Sequence, residues 1–297
     1  MTHLEPHDPR YPELLGAVPS PPALDVRGVL STDDGLAIAI VGSRRASAYG
    51  VAIAATLASE LAARGVTIVS GFARGIDSAA HRAALEAGGR TIAVLGCGID
   101  VVYPSENRSL AREVAAHGAL VSQFPRGAPP LAGYFPVRNR TIAGLALGVI
   151  VVEAAERSGA LITASYAADL GREVFAVPGR LTDATSWGPH RLIQEGAKLV
   201  QDWTDVVQEL PDRWRRALHQ RAIAASDAGL PSAESGEGRI LALLAVDEPQ
   251  HIETLIARSG SDAAHVGATL VALELRGQAR QLAGQRWIAV GARVRRA

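Results

Sequence analysis

From Leu36 onward, short β-branched runs alternate with alanine-rich amphipathic stretches. This alternation confines the chain to strands joined by crossover helices into a parallel sheet. The runs are Ala37 to Val41, Val66 to Ser70, Thr91 to Leu95, Ala119 to Ser122, Val149 to Glu153 and Glu173 to Val177, with a short one at Lys198 to Val200. The intervening patterns predict helices over about 48–64, 77–88, 106–117, 139–147, 160–170 and 189–195. Connections are short and glycine-bearing except at Gln123 to Val137, where Pro125, Pro129, Pro130 and Pro136 read as a long surface loop. The fold class is α/β, an extended Rossmann-like parallel sheet with a small C-terminal winged-helix domain.

A chain of 297 residues is long enough to bury two cores. Residues 1–35 form a proline-rich entry segment too short for a domain and expected to pack on the core, and residues 36–221 carry the Rossmann-like domain. Residues 222–238, rich in Ala, Ser, Gly and acids, read as a linker. In 239–297 three helical patterns precede a hairpin around Gly284, the plan of a winged helix. Its third helix turns Val266, Leu270, Leu273 and Leu275 inward, and its outer face is poor in cations. With 8 Arg against 7 acids over 230–297, a net +1, protein contact or dimerisation fits this domain better than duplex binding.

The formal charge of the chain is zero, so any attraction to phosphate must come from a local cluster of cations. Cys97 is the single cysteine, which excludes an internal disulfide and a cysteine-based zinc cluster. Met1 to Arg10 lacks the pattern of a signal peptide, and no 18-residue uncharged apolar run occurs. A soluble, cytoplasmic protein without a membrane span, cofactor or metal is expected.

Three glycine-bearing strand ends carry the candidate chemistry. Gly42-Ser43-Arg44-Arg45-Ala46-Ser47 opens onto a helix and reads either as a phosphate site, built from backbone N–H groups, hydroxyls and Arg44, or as a tight turn with a surface arginine. Ser70-Gly71-Phe72-Ala73-Arg74-Gly75-Ile76-Asp77 offers a second anion turn beside it, with Asp77 as the alternative helix cap and Gly71 and Gly75 serving positive φ. His81, without a metal partner at helical spacing, reads as structural. Cys97, between glycines, reads as packing, since nothing supplies a base to activate it. In Phe135-Pro136-Val137-Arg138-Asn139-Arg140 the guanidinium groups suit phosphate and the neighbouring aromatic faces suit unpaired bases. The alternative is that Arg138 and Arg140 bridge to acids such as Glu153. Arg157-Ser158-Gly159 starts another anion-ready helix.

Six ordered motifs then carry a resemblance: Ala39-Ile40-Val41-Gly42-Ser43-Arg44, Ser70-Gly71-x-Ala73-x-Gly75-Ile76-Asp77-x-x-Ala80-His81, Gly96-Cys97-Gly98-Ile99-Asp100-x-x-Tyr103-Pro104, Phe135-x-x-Arg138-Asn139-Arg140-x-Ile142-Ala143, Ser158-Gly159-x-Leu161-Ile162-Thr163-Ala164 and Val174-Phe175-Ala176-Val177-Pro178-Gly179. Over about 11–205 the chain resembles the DprA/Smf family, and 239–290 resembles the winged-helix domain of many members. The resemblance implies a non-catalytic, homodimeric protein that binds single-stranded DNA without sequence preference, protects it and loads RecA in natural transformation. It also implies that Arg44, Gly71, Arg74, Arg138, Asn139, Arg140, Ser158 and Gly159 line the pocket, with Lys198 a further member. The full candidate set adds Gly42, Ser43, Gly75 and Phe135, from the turn and loop chemistry above. Gln123 stands where the family usually has Glu and His190 where it usually has Asn, and the N-terminal SAM-like domain of many members is not expected here. The competing reading is a Rossmann-type nucleotide hydrolase of the lysine-decarboxylase-like class. Against it, Arg157 to Ala164 lacks the second glycine and the glutamate of the Pro-Gly-Gly-x-Gly-Thr-x-x-Glu motif.

Overall fold

Strand β3 (Ala37–Val41) is apolar and buried at every position, and its alternate side chains enter different cores. Ala37, Ala39 and Val41 face one cluster, Ile38 and Ile40 the other. A strand covered on both faces has no polar side to show, which is why it reads as an unbroken apolar run. The computed structural model describes residues 1–218, 235–245, 248–275 and 278–289, in two compact units, Met1–Leu218 and His219–Ala297.

In the first unit β1 (Thr2–Leu4), α1 (Glu13–Gly16) and β2 (Leu24–Gly28) precede β3. There follow α2 (Ala48–Ala63), β4 (Thr67–Ser70), α3 (Ile76–Glu86), β5 (Thr91–Val94), α4 (Arg108–His117) and β6 (Ala119–Ser122). Then come α5 (Tyr134–Gly144), β7 (Gly148–Val151), α6 (Gly159–Asp169), β8 (Glu173–Ala176), α7 (Trp187–Gln194), β9 (Lys198–Leu199), α8 (Trp203–Gln208) and α9 (212–218). One nine-stranded sheet runs β1-β2-β6-β5-β4-β3-β7-β8-β9, parallel from β6 to β9. Side chains of α2 and α3 fill the core on the Ile38 face, while Ile142 of α5 and Ala160 and Ala164 of α6 fill the other.

The entry segment does more than lie on the core. It adds β2 antiparallel to β6 and β1 antiparallel to β2, extending the sheet, with Leu15 and Val18 buried beside α5 residues. The helix expected over 139–147 begins five residues earlier, so Phe135 to Arg140 is helical instead of loop. Pro136 is the third residue of α5, inside the first turn, where a missing N–H costs no intrahelical bond. The proline signal therefore marked a helix start.

The second unit holds α10 (Gly236–Leu243), β10 (Gln250–His251), α11 (Ile252–Ser259), α12 (Ala263–Leu275), β11 (Ala279–Leu282) and β12 (Arg286–Ala289). Its strands order β10-β12-β11, and Ile240, Leu255, Val266, Leu270, Leu273 and Trp287 form its core. Three helices and a β wing are thus present as the sequence predicts, while the side chain of Leu275 lies outside the described residues. Of the stretch expected as a linker, 222–234 also lies outside them, and Ser235 caps α10 by accepting from the Gly238 N–H at 3.0 Å. No helix among the described residues is long and apolar enough to cross a membrane.

Candidate nucleic-acid interface

Strand order places the site. From β3 the chain winds outward through β4, β5 and β6, then returns through α5 to set β7 against the opposite edge of β3. The loops after β3 and β7 separate at this reversal and open a crevice at the carboxyl ends of the strands. A cavity of about 530 Å³ fills it, walled by the Gly42 to Arg45 turn, the Ala155 to Gly159 turn and the start of α5. A second cavity of about 330 Å³ adjoins it toward Arg74 and Tyr103. Arg44, Arg45, Ala73, Phe135 and Arg138 line both.

Phe135 stands between the two cavities. The Arg44 guanidinium carbon lies 4.9 Å from its ring centre and that of Arg138 5.9 Å, while the Tyr103 ring is 6.1 Å away. Cations over a ring face are drawn by its quadrupole. Gly96 makes room for the ring, since a Cβ there would meet Phe135 Cδ1 at 2.8 Å.

Arg138 is 3% exposed. Its Nη1 donates to the carbonyls of Gly71 and, at 2.9 Å, Val94. A Cβ on Gly71 would collide with that guanidinium and lie 2.7 Å from Asp77 Oδ2, so glycine is required where the two charges converge. Burial lowers the pKa of Arg138 to about 10 against the pull of Asp77, so it stays cationic at neutral pH. Burial raises that of Asp77, opposed chiefly by Arg138 and by the Ala73 N–H, which donates to its carboxylate at 3.2 Å. Asp77 is not the cap of α3. Gly75 holds that position at φ +72°, and a side chain there would strike the Ser43 carbonyl.

The anion-ready helix starts are not equivalent. Glu153 occupies that of α2, accepting from the Ser47 N–H at 2.9 Å and from the Ser47 hydroxyl. Glu153 therefore binds neither Arg138 nor Arg140. The first turn of α3 carries Asp77. The start of α6 is open: Ser158 accepts from the Ala160 N–H at 3.3 Å, Gly159 is exposed, and a Cβ on it would touch nothing within 4 Å.

Of the candidate residues, Gly42, Ser43, Arg44, Phe135, Arg138, Asn139, Ser158 and Gly159 line the larger cavity, and Gly71 and Arg74 join the smaller. Asn139 is buried and donates to the Gly159 carbonyl at 3.1 Å, tying α5 to α6. Arg140 turns to the entry segment, donating to the Pro19 carbonyl. Lys198 sits on the edge strand β9 and pairs with Glu209 at 2.8 Å. Neither lines the two cavities. The structure adds Arg45 and Arg157, both exposed in the wall, each adjacent in sequence to a chosen residue. It also adds Tyr103 beside Phe135. Cys97 is buried, its thiol donates to the Val101 carbonyl at 3.2 Å, and burial raises its pKa.

A Rossmann-like sheet with a cationic and aromatic cleft at its switch point, followed in the chain by a winged-helix unit, defines the class. Comparison with known proteins agrees. Residues 2–211 match the family described as DNA recombination-mediator protein A, and 224–285 match the DprA winged helix domain. Protein Smf of Escherichia coli K12 is 42% identical over 285 residues, 93% of this chain and 74% of that protein. DNA processing protein DprA of Bacillus subtilis is 46% identical over 206 residues, 69% of each. The X-ray structure of DprA from Streptococcus pneumoniae superposes with a TM-score of 0.68 at 44% identity, covering 71% of this chain and 74% of that one. DprA from Helicobacter pylori, solved for its single-stranded DNA binding mode, gives 0.62 at 30% identity, covering 71% and 97%. The chain belongs to the DprA/Smf family of DNA-processing proteins.

Proposed function

We propose that the cleft binds single-stranded DNA without sequence preference, phosphates meeting Arg44, Arg45, Arg74 and Arg157 and bases stacking at Phe135. The observation that carries this reading is the Phe135 ring flanked by Arg44 at 4.9 Å, in a cleft open to the start of α6. Guanidinium groups beside an aromatic face serve a flexible strand whose bases are unpaired. That the H. pylori relative binds single-stranded DNA supports it. The two buried carboxylates beside the cleft, Asp77 and Glu153, are engaged by protein donors, which favours a binder over a nucleotide hydrolase. Protection of the strand, hand-over to a RecA recombinase in the cytoplasm during natural transformation, and dimerisation complete the proposal, on family grounds.

Fluorescence anisotropy with single-stranded and duplex oligonucleotides over a salt series tests it. Four phosphate contacts give an expected slope of log K against log salt of about −2 to −3, at about −0.7 per phosphate on a single strand. Phe135→Ala should weaken binding about tenfold, within the ~1–3 kcal/mol of a base–aromatic stack. Duplex affinity equal to single-strand affinity, or indifference to both Phe135→Ala and Arg44→Ala, refutes the proposal.

A further inference from the structure

The smaller cavity has features that the larger one lacks. Tyr103 forms one wall, its ring tilted 46° to Phe135. Arg74 lines the cavity and is exposed, yet its Nε is paired with the carboxylate of Glu106, itself exposed beside the turn that carries Tyr103. Each partner holds the charge of the other: the hydrogen bond raises the pKa of Arg74 and lowers that of Glu106. Arg74 therefore meets an incoming phosphate already neutralised, unlike Arg44, which carries its charge over a ring.

We propose that this cavity is a second base subsite, beside Tyr103, whose phosphate partner Arg74 is held by Glu106 until the strand enters. The inference rests on the single-stranded DNA reading and adds to it a residue that opposes binding. A strand crossing from the larger cavity passes Phe135, sets one base in each compartment, and draws Arg74 from Glu106 onto the intervening phosphate. Glu106 then sets a threshold: only a ligand that fills both compartments offers Arg74 a better partner. A mononucleotide in the larger cavity leaves the pair intact.

An exposed ion pair is weak, so its loss is readable without being overwhelming. With a labelled oligothymidylate of about ten nucleotides, within the usual site size, Glu106→Gln should bind about two- to fivefold more tightly than the unchanged protein. Arg74→Ala should bind more weakly, and the double variant no more tightly than Arg74→Ala alone. Tyr103→Leu should weaken binding about fivefold and Tyr103→Phe should not. All three side chains are at the surface, and circular dichroism confirms that each variant folds. If Glu106→Gln fails to tighten binding, or still tightens it once Arg74 is gone, Arg74 is not held in reserve and the inference falls. Indifference to Tyr103→Leu removes the base subsite. Absence of single-strand binding by the unchanged protein refutes the underlying function instead, a separate result.

Discussion

Arg138→Met is expected to lower stability by about 3–5 kcal/mol, since a buried charged donor is taken from two carbonyls, at about 1.5–3 kcal/mol for each such hydrogen bond, and its field from Asp77. The guanidinium is 3% exposed, donates to the Gly71 and Val94 carbonyls, and supplies the largest of the interactions that keep the pKa of Asp77 from rising further. Methionine fills much of the same space but leaves two buried carbonyls short of a donor and Asp77 without its cation. Adding Asp77→Asn removes the stranded charge, so the double variant should recover part of the loss. Guanidinium unfolding followed by far-UV circular dichroism measures both. A loss below about 1 kcal/mol for Arg138→Met would mean that water reaches the guanidinium and that it is a surface cation of the cleft. The same variant should bind single strands poorly, because Phe135 packs within reach of Arg138.

That prediction separates two arginines that the sequence presents alike. Arg138 and Arg140 are two residues apart beside aromatic residues, and both suit phosphate. Once Tyr134–Gly144 is known to be a helix, positions two apart differ by about 200° around the axis and must face opposite ways. Arg138 enters the cleft floor, and Arg140 fastens the entry segment at Pro19. Reading the proline-rich stretch as loop through Val137 hid this geometry. The strands were legible because burial on both faces leaves unbroken apolar runs, as in Ala37–Val41 and Ala119–Ser122. Their order was not. Nothing in a crossover helix states on which side of β3 the next strand will lie, so the switch point between β3 and β7, which creates the crevice, appears only in the folded chain. The partners of Ser47 and Lys198 were hidden for the same reason: Glu153 is 106 residues away from Ser47 in sequence, and Glu209 reaches Lys198 across a turn from α8.

Between pH 7 and pH 5, His81 should take about 2 kcal/mol from the stability of the protein. The ring is fully buried, its Nδ1 bonded to the Thr91 hydroxyl at 2.6 Å. That hydroxyl donates to the Ile68 carbonyl, so it accepts from Nδ1–H and leaves Nε2 the unprotonated nitrogen of a neutral ring. Nε2 has no hydrogen-bond partner. Burial, aided by the positive charges of Arg138 and Arg82, lowers the pKa from 6.5 to about 3. Above pH 6.5 the ring is neutral folded and unfolded, and pH has no hold on it. Below that value the unfolded chain takes up a proton that the folded chain refuses until about pH 3, so stability falls as pH falls, at about 1.4 kcal/mol per unit. His3 works in the opposite direction, its pKa raised by Asp25 and Glu5, and it is exposed at the surface. Carboxylates with lowered pKa, such as Asp8 at about 2, respond in more acid solution. Asp77, whose pKa burial raises, also works against His81 as pH falls, so the part that His81 plays between pH 6.5 and pH 5 is read from the difference between the protein and a variant that cannot titrate at this position. Asparagine keeps an N–H toward Thr91 and cannot titrate, so His81→Asn should start from lower stability and then lose less than the unchanged protein across that interval. Denaturant midpoints at pH 7, 6 and 5 for the two proteins decide the matter. An unchanged slope in the variant would place the acid sensitivity elsewhere, and a flat profile in both would mean that the ring is protonated inside the fold.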